Sequence, residues 1–221
     1  MKKYDFKKDN FTIIKKAIDP KLAEFLFNYF LIKKEVYKTM KDFNYITPFD
    51  RDWGVINDGQ VKGAYAHYSD VAFETLLLKL LPVMEKTTKT KLYPTYSYSR
   101  LYEKGHELPK HKDRFECEIS TTLNLGGDPW PIFIESDTSK GGYGPIHYEP
   151  SDSKGIKIIL KPGDMLIYKG NICEHWREPF NGQECVQVFL HYNNQNTQNS
   201  EETIYDRRRH VGLPAWFKGK K

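Results

Sequence analysis

Cysteine is scarce in this chain: three in 221 residues, Cys117, Cys173 and Cys185, an odd number with no C-x-x-C spacing. A disulfide framework and a cysteine zinc site are thereby excluded, and a reducing compartment fits best. Long hydrophobic runs are missing too; no segment approaches the roughly 20 apolar residues that span a bilayer. The opening Met1-Lys2-Lys3-Tyr4-Asp5 leads into alternating charges rather than a signal-peptide core. The expectation is a soluble, cytoplasmic protein with no membrane partner. There is no internal repeat, and little excess of one charge sign: 34 Lys plus Arg against 29 Asp plus Glu, a net +5. Such a balance permits an anionic partner without demanding one.

What is present suffices for one core. With 39% hydrophobic and 14% aromatic residues, the chain reads as a single domain, 1–221. Asp19-Pro20 followed by Leu22, Phe25, Leu26, Tyr29 and Phe30 predicts an amphipathic helix behind an aspartate cap. Thr47 to Asp70 is punctuated by turn formers and reads as loop with a strand at most. Asp70 caps a second helical run from Val71 to about Lys86, which Pro82 should kink or shorten.

From Pro94 the apolar period changes to two. Strands are expected near Thr95–Tyr102, Pro109–Asp113, Glu118–Leu125, Pro131–Glu135, Ile156–Leu160, Met165–Tyr168, Ile172–Arg177 and Cys185–Tyr192. Eight short strands after two helices define an α+β, mainly β fold: a β-sandwich or jelly roll with N-terminal flanking helices. The helical flank covers about 11–90, the jelly-roll core about 94–192, and 193–221 is a polar and basic tail. Ser136 to Gly155, rich in Gly, Ser and Asp, reads either as a mobile lid or as an idle surface loop.

Chemistry concentrates in His111-Lys112-Asp113, on a predicted strand, and His175 on a later one. Residues i and i+2 of a strand share a face, so His111 and Asp113 point inward together while Lys112 points away. Two imidazoles and one carboxylate on one side of an ion leave its other positions open, the arrangement of non-haem Fe(II) oxygenases. An H-x-D tripeptide alone is a weak signal. Here it follows a strand and the turn at Gly105. The third ligand lies 62 residues beyond Asp113, and Lys161-Pro162-Gly163-Asp164 forms a turn feeding the strands that deliver it.

With these residues the sequence resembles the Fe(II)- and 2-oxoglutarate-dependent dioxygenases, in their prolyl 4-hydroxylase-like branch of small bacterial and phage oxygenases. The most specific pieces are Tyr96 to Tyr102, His111-Lys112-Asp113, Cys117 to Ser120, Pro162 to Tyr168, His175-Trp176-Arg177 and Gln187 to Tyr192. The resemblance implies a double-stranded β-helix, or jelly roll, with helices on one side. It also implies His111, Asp113 and His175 as catalytic metal ligands, and Fe(II), 2-oxoglutarate and O2 as cofactor and co-substrates, with ascorbate as an accessory reductant. The reaction it implies is hydroxylation of an unactivated C–H bond of a peptide, prolyl or other amino-acid substrate, or a small molecule, with release of succinate and CO2.

In that family a tyrosine and a basic residue meet the far carboxylate of 2-oxoglutarate. Tyr102, nine residues before His111, matches the tyrosine. The basic residue usually follows the distal histidine by nine to twelve positions, where this chain reads Glu184, Cys185, Val186, Gln187. A buried carboxylate still needs a counter-charge. Arg177, two residues past His175, is the first candidate, and Arg100, sharing a face with Tyr98 and Tyr102, the second. Gln187 offers a neutral hydrogen bond, and Thr122 matches a hydroxyl the family turns toward the same carboxylate. His67, His106, His147 and His191 lack an i, i+2 carboxylate and read as hydrogen-bonded histidines, with His191 facing the same side as Gln187 and Phe189.

Two rival readings stay open: a non-catalytic jelly-roll module that keeps the metal motif, and an oxidative demethylase of nucleic acid. Charge placement bears on the second. Residues 1–16 carry six lysines against two aspartates, and 206–221 six basic residues against Asp206, which leaves 22 basic and 26 acidic residues between them. The central body is mildly acidic, which makes a nucleic-acid partner an unfavoured expectation.

Overall fold

The computed structural model describes residues 4–219, so Lys2, Lys3, Lys220 and Lys221 of the basic ends lie outside the described residues. A short helix α1 (Phe6–Asp9) leads into strand β1 (Phe11–Ile14) and the long helix α2 (Pro20–Asp42). The α2 cap is as expected: Asp19 accepts from the Lys21 amide at 2.8 Å, with proline in the first turn. Its buried stripe is Ala23, Leu26, Phe30 and Tyr37, whereas Phe25, expected on the apolar face, is 66% exposed. Strands β2 (Val55–Ile56) and β3 (Tyr65–Tyr68) follow, and then α3 (Val71–Thr88), whose Asp70 cap accepts from the Ala72 amide at 2.9 Å. Pro82 does not shorten α3, which runs on to Thr88. Both Pro82 and Leu78, whose carbonyl loses its partner, are exposed, so water can satisfy that carbonyl.

The remaining strands are β4 (Leu92–Glu103), β5 (Leu108–His111), β6 (Ile119–Gly127), β7 (Ile132–Ile134), β8 (Gly142–Tyr143), β9 (Tyr148–Glu149), β10 (Ile156–Ile158), β11 (Met165–Tyr168), β12 (His175–Arg177) and β13 (Glu184–Asn194). They form antiparallel sheets of seven strands, β1-β11-β6-β13-β4-β3-β2, and four strands, β10-β7-β12-β5, with β8 and β9 as a small hairpin. The eight expected strands are present, Met165–Tyr168 with the ends expected and the others with shifted ends. The strand expected over Pro109–Asp113 stops at His111, and that over Ile172–Arg177 begins at His175.

Side-chain alternation in the large sheet separates two environments. Ile119, Leu123 and Leu125 of β6 and Val186, Val188 and Leu190 of β13 pack with Leu26, Phe30, Phe73 and Leu77 of the helices. That burial is the main apolar core, each large side chain contributing about 1.5–3 kcal/mol. The residues between them, Ser120, Thr122 and Asn124 on β6 and Gln187 and His191 on β13, are buried and polar on the opposite face. A sheet that presents polar side chains to its interior face must satisfy them there, and this is where the site lies.

The segment read as a tail is folded onto the body. After 3-10 turns over Ser200–Arg207, Arg208 is buried and pairs with Glu74 of α3 at 2.8 Å. Asp206 accepts from Tyr68 at 2.6 Å and from Arg114 at 2.8 Å. No helix among the described residues is long and apolar enough to cross a membrane.

Candidate metal centre

His111 ends β5, and its partner across the ladder is His175, at the start of β12. This pairing sets the two imidazoles side by side, with ring centroids 4.2 Å apart. Asp113 lies beyond the strand end, so the i, i+2 alternation of a strand does not place it. Its amide donates to the Gly170 carbonyl at 2.8 Å, and that turn aims the carboxylate back between the rings. Oδ1 of Asp113 stands 3.5 Å from Nε2 of His111 and 3.5 Å from Nε2 of His175. The three potential ligand atoms lie within 4.8 Å of one another.

Ring orientation agrees with ligation. Nδ1 of His111 faces the Pro109 carbonyl at 2.8 Å, and Nδ1 of His175 faces the Cys173 carbonyl at 3.0 Å. A carbonyl only accepts, so each Nδ1 carries a proton, and Nε2 is the nitrogen that each ring turns toward Asp113. Burial, reinforced by the neighbouring His175, lowers the pKa of His111 and keeps it neutral. Burial alone would raise Asp113, but His175 and His111 hold it well below the ordinary carboxylate range. With Nδ1 held by a carbonyl on each ring, the two Nε2 atoms and an Asp113 oxygen are the donor set that a divalent metal takes.

The centre opens into a cavity of about 500 Å3 lined by His111, Asp113 and His175 together with Asp58, Arg100, Tyr168, Phe189 and His191. Tyr168 was not anticipated; its hydroxyl lies 3.4 Å from Nε2 of His175. Its signal was available, since β11 alternates and Leu166 and Tyr168 share the inward side.

The residues expected around 2-oxoglutarate divide into two groups. Arg177, fully buried, donates from Nη1 to the Trp130 carbonyl at 2.6 Å and from Nη2 to Thr122 Oγ1 at 3.2 Å. Thr122 donates to Gln187 at 3.0 Å, and Gln187 reaches Cys185 Sγ at 3.1 Å. Nε of Arg177 has no partner, and no carboxylate pairs with this guanidinium among the described residues. Burial accordingly lowers its pKa. Arg100 and Tyr102 form the other group. Arg100 donates to Tyr102 at 3.0 Å and to Gln60 at 2.8 Å, and its guanidinium is paired with Asp58. Its charge is already balanced, through a loop partner that spacing could not identify.

Of the other histidines, His67 bonds Asp70, and His106 accepts from the Glu103 amide at 2.8 Å. Only His191 approaches the centre, grouped with Asp113 and Cys117.

No family model and no curated protein sequence matches the chain. Solved structures do. A Pseudomonas putida prolyl-4-hydroxylase aligns over 87% of this chain and 96% of its own, with 13% identity and a TM-score of 0.53. The viral collagen prolyl hydroxylase of Paramecium Bursaria Chlorella virus-1, solved with 2-oxoglutarate, covers 84% of this chain and 97% of its own at 10% identity and TM-score 0.52. HygX from Streptomyces hygroscopicus, solved with nickel, 2-oxoglutarate and hygromycin B, covers 97% of this chain and 92% of its own at 12% identity and TM-score 0.55. The chain therefore has the fold of 2-oxoglutarate and Fe(II) oxygenases, the prolyl hydroxylases among them.

Proposed function

We propose that this protein is an Fe(II)- and 2-oxoglutarate-dependent dioxygenase that hydroxylates an unactivated C–H bond, releasing succinate and CO2. The observation that carries the reading is a pair of features met on β12: the His111, Asp113 and His175 ligand atoms converge at its start, and two residues beyond His175 stands the buried Arg177 without a counter-ion. An isolated buried cation is costly, and a dicarboxylate co-substrate would relieve that cost. A vestigial metal motif would give no reason to keep it.

Nε2 of His111, Nε2 of His175 and Oδ1 of Asp113 would hold the iron. Arg177, with Thr122 and Gln187, would hold the far carboxylate of 2-oxoglutarate, while Tyr102 stays with Arg100. Bound iron and keto acid supply O2 activation and the reducing electrons; the protein's own part is to orient, to keep the ligands deprotonated and to exclude water. Strands β4, β6, β11 and β13 in one sheet and β5, β7, β10 and β12 in the other support reading the body as a jelly roll. We read residues 1–221 as one such domain.

For the substrate, a peptide or small molecule is favoured over nucleic acid. The arginines at the cavity are already paired, Arg100 with Asp58 and Arg114 with Asp206, which leaves Lys112, bonded to the neutral Thr138 and Gly141 carbonyls, as a single cation without a carboxylate partner among the described residues that line it. A polyanion needs unpaired cations to displace its counterions. Anaerobic addition of 2-oxoglutarate to the Fe(II)-loaded protein is expected to give a visible charge-transfer band, and a succinate-release screen over peptides, amino acids and small molecules identifies the substrate. Absence of the band at saturating keto acid would defeat the proposal.

A further inference from the structure

The two oxygens of Asp113 have different surroundings. Oδ1 faces the Nε2 atoms of His111 and His175, whereas Oδ2 is 2.7 Å from the hydroxyl of Ser120. The same hydroxyl is 3.0 Å from Nδ1 of His191 and 3.1 Å from the Cys117 carbonyl. Gly170 closes the arrangement: a Cβ there would collide with Asp113, Ser120 and the Cys117 carbonyl. Ser120 is fully buried, and the imidazole of His191 is packed against Tyr96 with centroids 4.5 Å apart.

Counting protons fixes the direction of each bond. A serine hydroxyl has one proton to give and lone pairs to accept with. An ionised carboxylate can only accept, so the Ser120 proton goes to Oδ2 of Asp113. The His191 contact is then made by Nδ1–H donating to Ser120. A neutral ring with its proton on Nδ1 has a bare lone pair on Nε2. With Nδ1 turned inward to Ser120, Nε2 is the atom left to face the cavity that His191 lines, and no described residue bonds it.

We infer that Ser120 and His191 are positioning residues linking the cavity to the metal centre, a reading that rests on the proposed centre. Ser120 ties down Oδ2 so that Asp113 offers Oδ1 alone to the metal, which keeps the adjacent positions open. His191, held in one tautomer by Ser120, presents Nε2 as an acceptor for an N–H or O–H group of the substrate. The substrate class is thereby narrowed to molecules with a hydrogen-bond donor close to the carbon that reacts. Docking of that donor pulls on the same two-bond chain that orients the carboxylate.

Mn(II) alone, followed by electron paramagnetic resonance, is the probe. Ser120→Ala is expected to weaken Mn(II) binding by about 10- to 100-fold, the usual cost of losing a ligand's outer partner. His191→Asn, whose amide N–H replaces Nδ1–H, is expected to keep wild-type affinity, while His191→Phe loses part of it. In Zn(II)-loaded protein with nitrogen-labelled histidine, proton–nitrogen correlation is expected to place the His191 proton on Nδ1. Equal Mn(II) affinity in wild type and Ser120→Ala, or a proton on Nε2, overturns the inference and leaves the centre standing. If Ser120→Ala fails to fold, equal affinities of His191→Phe and His191→Asn overturn it instead. A wild-type chain that binds no Mn(II) overturns the centre and this inference together.

Discussion

Nη2 of Arg177 donates to Oγ1 of Thr122 over 3.2 Å, so a fully buried guanidinium rests on a hydroxyl and, through Nη1, on the Trp130 carbonyl. Neither group carries charge. Replacing Arg177 with leucine is expected to act in opposite directions on two quantities. Affinity for 2-oxoglutarate should fall by about 10- to 100-fold, since hydrogen bonds to a charged group are worth about 1.5–3 kcal/mol and each 1.4 kcal/mol is tenfold. Stability of the metal-free protein should hold or rise by about 1–4 kcal/mol, because removing a buried, uncompensated charge is commonly stabilising. Anaerobic absorbance titration and urea unfolding measure the two. A stability loss with unchanged keto-acid affinity would make Arg177 structural.

Arg100 should behave in the reverse sense. Arg100 and Asp58 are both nearly inaccessible, and removing one partner leaves the other buried alone. Arg100→Leu is expected to cost about 3–5 kcal/mol of stability. Because Asp58 already balances this arginine, keto-acid affinity of the folded fraction should change little. The double variant with Asp58→Leu should recover much of the lost stability, which urea unfolding of the three proteins would reveal.

These two arginines also mark how far sequence reasoning reaches. The aspartate caps at Asp19 and Asp70, the switch to period two after Pro94 and the H-x-D motif are local signals, and each locates an element or a member of the candidate centre. The resemblance offers Thr122 and alternation along β13 offers Gln187, and the structure joins the two by a hydrogen bond. What separates Arg177 from Arg100 is Asp58, a loop residue more than 40 positions from Arg100, and no spacing rule finds it. The same holds for Arg208, which composition assigned to a tail and which Glu74 draws into the body. Asp113 does come beside both histidines, but not for the local reason expected: Gly170, on a distant turn, aims it after the strand has ended.

Gly170 therefore offers a direct test of that aim. A methyl group at this position meets Asp113, Ser120 and the Cys117 carbonyl at once, and the last of these is backbone that cannot swing away. Gly170→Ala is expected to destabilise the metal-free protein by about 1–3 kcal/mol, the cost of overpacking. Mn(II) affinity should fall as well, because the carboxylate is displaced. Isothermal titration of the folded variant separates the two effects, and undiminished affinity would show that Asp113 tolerates being moved.

The connector between β7 and β10 is held by residues that flank the ligands. Lys110 bonds the Ser151 and Ser153 carbonyls at 2.7 and 2.6 Å, and Lys112 the Thr138 carbonyl at 3.0 Å. Glu174, next to His175, accepts from the Tyr148 hydroxyl at 3.0 Å and the Ser151 amide at 2.8 Å. Glu174→Ala is expected to speed amide exchange across residues 141–153 by about 10- to 100-fold, on the same scale for bonds to charged groups. Mn(II) affinity should be retained, because His175 Nδ1 is fixed by the Cys173 carbonyl rather than by Glu174. Exchange at wild-type rates would mean that the connector holds itself.

Acid should unfold the metal-free protein through its buried histidines. Burial is the main cause that brings His191 from 6.5 down to about 4, with Arg114 acting in the same direction. The unfolded chain therefore takes up a proton on this residue before the folded one does. The stabilisation is complete above about pH 6.5, and it is lost as pH falls toward 4 at about 1.4 kcal/mol per unit, about 3 kcal/mol in all. His111, also lowered, adds in the same sense. Asp113, whose pKa is depressed, contributes stability above the usual carboxylate value that goes only at lower pH still. Urea unfolding at pH 7, 6 and 5 is expected to show this slope in wild type and a shallower one in His191→Asn, which has no titrating ring. Equal slopes in the two proteins would mean that His191 is charged in the folded state or titrates as it does in the unfolded chain. Saturating Mn(II) should steepen the acid loss, because protons then compete with the metal for His111 and His175 as well.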